Sequence, residues 1–145
     1  MRTVHEVLGI AVFASNALAA AWGGVCWRRG IASVAFWPIL RTAQALVVVE
    51  VITGTVELLG GREPPDRLHY LYGLLPLVFA LVAEGMRQGA AHTELERVAD
   101  PDALERREQV LLARRIVIRE MAIMSVSALA TVTVAARAAQ SGGLF

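Results

Sequence analysis

Two histidines open apolar runs in the same way, as His5-Glu6-Val7-Leu8-Gly9 and His69-Tyr70-Leu71-Tyr72-Gly73. On a helix, His-x-x-x-Gly sets the glycine one turn from the histidine on the same face, where a missing side chain leaves room for a flat group. Two imidazoles at one depth on neighbouring helices suit ligation of a haem iron from its two sides, with Gly9 and Gly73 clearing space for the macrocycle. A plainer option stays open, in which the histidines are interfacial residues and the glycines let helices pack closely.

A second set of residues is acidic. Glu50 and Glu57 share a helix face with Gly54 between them, and Glu84 lies in a later apolar run. Carboxylates at membrane depth are costly, so they mark either a proton or cation path or ion pairing inside a bundle. On the first reading Arg41 and Arg119 supply counter-charges and Asn16, on the His5 face, a polar step. Glu57 also falls near the depth of His69, where a carboxylate can orient an imidazole.

These residues have to be positioned by elements that can exist in lipid. The chain of 145 residues is 56% hydrophobic and only 19% charged, and its charges are segregated between long apolar runs. That pattern predicts helices that satisfy their own backbone polar groups inside a bilayer. Four spans follow, at about residues 4–22, 36–59, 68–86 and 110–136, each near the ~20 residues needed to cross ~30 Å of hydrocarbon. The fold class expected is therefore all-α, a single integral membrane domain built as an up-down four-helix bundle. Ala17-Leu18-Ala19 has the small-residue form of a secretory cleavage site, but His5 and Glu6 precede it where a leader is basic or apolar, so retention as span one is expected.

Arginine distribution sets the orientation. Arg28 and Arg29 follow span one, and Arg87, Arg97, Arg106, Arg107, Arg114 and Arg115 crowd the segment between spans three and four. Cationic residues accumulate on the cytoplasmic side, so both connections are expected inside and both termini outside a cell membrane. Trp22, Trp27 and Trp37 mark the inner interface, Tyr70 and Tyr72 the outer one. The outer connection, Gly60 to Arg67, is balanced in charge and rich in proline. The inner connection, about 87–109, carries two helix-start signals: Thr93 with Glu96 as a capping box, and Asp100 as N-cap before Pro101. A charged helix starting there is expected to run unbroken into span four.

With this topology spans one and three are parallel, so His5 and His69 lie at one level near the outer face. The offsets from His5 to His69 and from Arg41 to Arg119 are 64 and 78 residues, compatible with an internal duplication of two helical hairpins. At this point the chain resembles four-helix membrane haem proteins with paired histidines, the cytochrome b561 type and one half of haem A synthase. The resemblance implies one haem b near the outer face, with His5 and His69 as axial ligands to iron, and electron transfer or haem-associated redox chemistry as the function. The pattern departs from both families: the haem A synthase halves carry histidines on their second and fourth helices, and the b561 type has more than one pair.

Other classes are narrowed by composition. The net charge is +1 and every cationic residue is an arginine near a helix end, which argues against a nucleic-acid partner. Cys26 is the single cysteine, so neither an intramolecular disulfide nor a cysteine metal cluster can form. No phosphate loop, zinc spacing or serine-histidine-acid pattern occurs, so soluble-type catalysis is not expected. Besides the lipid bilayer, expected partners are a membrane redox protein or a larger complex in which the chain is an accessory subunit; a homo-oligomer is also compatible.

Overall fold

Span two contains the run Val47-Val48-Val49-Glu50-Val51-Ile52-Thr53, which in water would favour a strand. In lipid an unpaired strand would leave its backbone groups without partners, and the helix wins. The computed structural model describes residues 2–61 and 66–141, so Arg62 to Pro65, the centre of the proline-rich connection, lies outside the described residues. It contains α1 (Arg2–Arg28), α2 (Phe36–Leu59), α3 (Leu68–Glu96) and α4 (Arg106–Ser141). All four are long and apolar enough to cross a membrane. The protein is an all-α up-down four-helix bundle of the membrane-spanning kind.

The helices form a ring in which α1 contacts α2 and α4, α3 contacts α4 and more sparingly α2, and α1 and α3 stand diagonally opposite. A strict duplication would make the α1–α4 and α2–α3 seams alike. Instead α4 packs tightly along both α1 and α3, while the α2–α3 seam is loose.

Helix ends are set by recognisable local chemistry. After α1 the chain turns through Gly30 at φ +63, with Ile31 N–H donating to Cys26 O at 2.8 Å and Gly30 N–H to Trp27 O at 2.9 Å. This Schellman arrangement needs a left-handed residue, which glycine supplies without strain. At the start of α3, Asp66 Oδ1 accepts the Leu68 N–H at 2.9 Å and its carbonyl accepts His69 N–H at 3.0 Å, so the cap lies directly beside His69.

The second connection differs from expectation. α3 continues to Glu96, and Thr93 is inside it, its hydroxyl donating back to Gly89 O at 2.9 Å, so Thr93 and Glu96 do not cap a new helix. Asp100 Oδ1 does accept N–H groups, from Asp102 at 3.0 Å and Ala103 at 3.3 Å, but closes only a turn that reverses the chain. The unbroken final helix starts instead at Arg106, where Glu105 N–H donates to Glu108 Oε2 at 3.3 Å, half of a capping box.

The core sits in the half of the bundle nearer the arginine-rich connections. Phe36, Leu40, Met121 and Met124 fill it, and Ala19, Ala83 and Ala128 let the helices approach. Gly23 is the tightest point: a Cβ there would lie 2.2 Å from Ser125 Oγ and 2.4 Å from the Phe36 ring. Large apolar side chains such as Val7, Ile10, Leu81, Val126 and Leu129 face outward, as a lipid solvent requires.

Candidate functional site

At the other end of the bundle, the starts of α1 and α3 bring the two histidines together. Their ring centroids are 5.9 Å apart with planes crossed at 71°. The two rings come from diagonally opposed helices, so they meet across the bundle interior.

Each ring has an acceptor near Nδ1, although the His5 contact is an ion-pair approach without hydrogen-bond geometry. His5 Nδ1 lies 3.1 Å from Glu50 Oε1 on α2. His69 Nδ1 lies 3.2 Å from the carbonyl oxygen of Ala138 on α4. A carbonyl only accepts, so this contact requires a proton on Nδ1 of His69; a carboxylate beside His5 favours the same tautomer. An imidazole anchored through Nδ1 to a carboxylate or carbonyl is the usual arrangement behind a metal-ligating Nε2. Glu57 lies two turns along α2 from Glu50, on the same helix face.

The glycines have different roles from one another. A Cβ on Gly9 would lie 3.3 Å from Glu50 Oε1, so in this arrangement Gly9 makes room for the carboxylate that holds His5. A Cβ on Gly73 would meet nothing within 4 Å, so that glycine faces open space, as a cradle for a flat group requires. Gly54 was not assigned a role by sequence, yet its Cβ would lie 3.4 Å from His5 Cε1, which makes it the floor against which the ring rests. Its position one turn from Glu50 on the same face was the available signal. The Ala138 carbonyl left no signal, because any residue supplies one.

The remaining candidates lie elsewhere. Asn16 is buried in α1, its amide donating to Val12 O at 2.9 Å within its own helix. Glu84 is in the arginine-rich half, paired with Arg41, accepting from Gln44 Nε2 at 3.1 Å and from Arg87 Nε at 3.0 Å. Arg87 also reaches Glu120 on α4 at 3.1 Å and stacks 5.6 Å over the Trp37 ring. Arg119 pairs with Glu94 at 2.6 Å, and Arg97 joins the same carboxylate at 3.0 Å. These pairs tie α2, α3 and α4 together. Nine residues of helix, about 13 Å, separate Arg41 from Glu50, so this layer and the histidine site are distinct.

Among the described residues no group of three or more His, Cys, Asp or Glu side chains is placed to hold a metal ion. No protein-family model, curated protein or solved structure matches the chain.

Proposed function

We propose that the histidine end binds one haem b, with His5 and His69 as axial ligands, and that the protein serves electron transfer or another haem-linked redox role in the membrane. One observation carries this reading: two imidazoles from opposed helices have ring centroids 5.9 Å apart with crossed planes, His69 in contact with the Ala138 carbonyl and His5 beside the Glu50 carboxylate. Metal–imidazole bonds of about 2 Å on either side of one iron, with ~1.1 Å from nitrogen to ring centre, put the centroids roughly 6.3 Å apart. Two side chains suffice as a metal site when the metal brings its own equatorial ligands, as haem iron does. The loose α2–α3 seam and the open space at Gly73 favour room for a macrocycle.

When bound, the haem would supply the one-electron couple. The chain's own residues hold and tune it: Glu50 and the Ala138 carbonyl fix the two rings, Gly9 and Gly54 let Glu50 and His5 take their places, and Asp66 fixes the start of the helix that carries His69. The alternative of a proton or cation path is less favoured, because Glu84 is held among Arg41, Gln44 and Arg87 as a clasp between helices. The arginine-rich end is assigned to the cytoplasmic side, which puts the haem and both termini at the outer face.

The test is a reduced-minus-oxidised visible spectrum of protein expressed with haem supplied. The wild type should show a Soret shift and an α band; His5→Ala and His69→Ala should each lose them, and Glu84→Gln should keep them. A featureless wild-type spectrum refutes the reading.

A further inference from the structure

Nine arginines near one end of the bundle divide into two groups. Arg41, Arg87, Arg97 and Arg119 are paired with carboxylates inside the helix contacts. Arg28, Arg29, Arg106, Arg107 and Arg115, all at the same end, have no carboxylate at ion-pair distance among the described residues. Glu96, Asp100, Asp102, Glu105 and Glu108 lie in the same region, so positive charge is in excess only locally, where Arg114 and Arg115 line a surface with Glu108 as its one acid.

A groove of about 630 Å³ opens there, between the first turns of α4, the α3–α4 connection and the Gly30 turn. Its lining combines apolar Val98, Leu104, Leu111 and Ile118 with cationic Arg114 and Arg115, the α4 members following one another along a single helix face. Arg114 is pinned by donating to Gly30 O at 2.7 Å, which leaves its charge in place but its direction fixed. Glu108 is the one acid lining the groove, and its Oε2 accepts the Glu105 N–H at the helix cap. Leu111 is nearly half exposed in the first turns of α4, a position that would be unfavourable facing water alone.

An occupant of this groove has to combine an anion with a long apolar part and has to be present at a membrane surface. We propose that the groove seats an anionic phospholipid, its phosphate held by Arg115 with Arg114 beside it, and an acyl chain laid along Leu111 and Ile118. A cationic side chain near an anionic membrane surface contributes about 1 kcal/mol, or roughly fivefold in affinity. The inference is independent of haem, since it rests on the opposite end of the bundle.

Native mass spectrometry of the full chain in detergent micelles, titrated with dioleoyl phosphatidylglycerol, dioleoyl phosphatidylcholine or sodium phosphate, tests it. Phosphatidylglycerol should bind at least about fivefold tighter than phosphatidylcholine, and inorganic phosphate should not be retained. Arg115→Gln should bring phosphatidylglycerol down to the level of phosphatidylcholine. Arg106→Gln removes the same charge from the same end without lining the groove and should leave the preference intact. Leu111→Ser keeps the charge and should weaken both lipids. Equal binding of the two lipids, equal effects of Arg106→Gln and Arg115→Gln, or phosphate retention without lipid would each overturn the proposal, the last by making the groove a site for free phosphate.

Discussion

Gly23 and Gly24 are sequence neighbours with opposite environments, and replacing each by alanine gives a matched pair. A Cβ at Gly24 meets nothing within 4 Å, whereas a Cβ at Gly23 would stand 2.2 Å from Ser125 Oγ and 2.4 Å from Phe36 Cε2. Neither obstacle can yield easily. Ser125 Oγ is tied to Met121 O at 2.6 Å in a buried position, and Phe36 is fully buried among α1, α2 and α4 side chains. Relief requires α1 and α4 to separate by about 1 Å, the kind of overpacking that costs roughly 1–3 kcal/mol. Alanine's better helix propensity offsets up to about 1 kcal/mol of that at Gly23 and acts without opposition at Gly24. Gly23→Ala should therefore lose about 1–2 kcal/mol and Gly24→Ala should be neutral or slightly stabilising. Reversible unfolding in mixed detergent micelles, followed by circular dichroism, measures both. Adding Ser125→Ala to Gly23→Ala removes one of two obstacles and should recover part of the loss. Equal stability of the two alanine variants would refute the tight α1–α4 contact, and with it the packing that orders the bundle.

Further perturbations address the other parts of the structure. Arg87→Met removes the cation shared by Glu84 and Glu120 and should destabilise the bundle by about 1–3 kcal/mol in the same assay, while leaving haem absorbance per folded protein unchanged. Glu50→Gln should weaken haem retention by about 10–100-fold, because it removes the carboxylate behind His5; titration with haem after reconstitution reads this, and an unchanged affinity would leave Glu50 without a positioning role. Gly54→Leu should displace the His5 ring and lower haem occupancy, and the same change at Gly73 should also lower it, by filling the space left for the macrocycle while the His5 ring stays in place. Asp66→Ala should cost about 1 kcal/mol locally and speed amide exchange at Leu68, whereas α4 exchange stays as it was.

Much of this architecture is legible in the residue order, because lipid leaves the chain few options: four apolar runs of spanning length have to be helices, and alternate direction follows from their short connections. The boundaries are less legible. α3 was expected to end near Met86, but Arg87 and Glu94 turn their charges onto α4, so the helix gains packing partners beyond the apolar run and continues to Glu96. The Asp100-Pro101-Asp102 signal is chemically sound, and its carboxylate does collect N–H groups, yet the need to reverse direction before α4 confines it to a turn.

At the candidate site the histidine pair was readable, since a shared motif and parallel spans put both rings at one level. The partners behind the rings were not equally readable. Glu50 is visible in the sequence as an intramembrane carboxylate but groups there with Glu84 along a path, because nothing local says which helix it faces. The sequence motif suggests Gly9 as space for a macrocycle, and the contact that gives it another role comes from α2. The Ala138 carbonyl is a backbone group, and only the packing of α4 against α3 selects it.

Haem-loaded protein examined by low-temperature electron paramagnetic resonance measures the ligands of the iron itself. Two opposed imidazoles with steeply crossed planes should give a low-spin ferric signal of the strongly anisotropic kind, converted to high spin by either His5→Ala or His69→Ala. A wild-type signal that is high spin, or a low-spin signal that survives loss of either histidine, would contradict ligation by this pair.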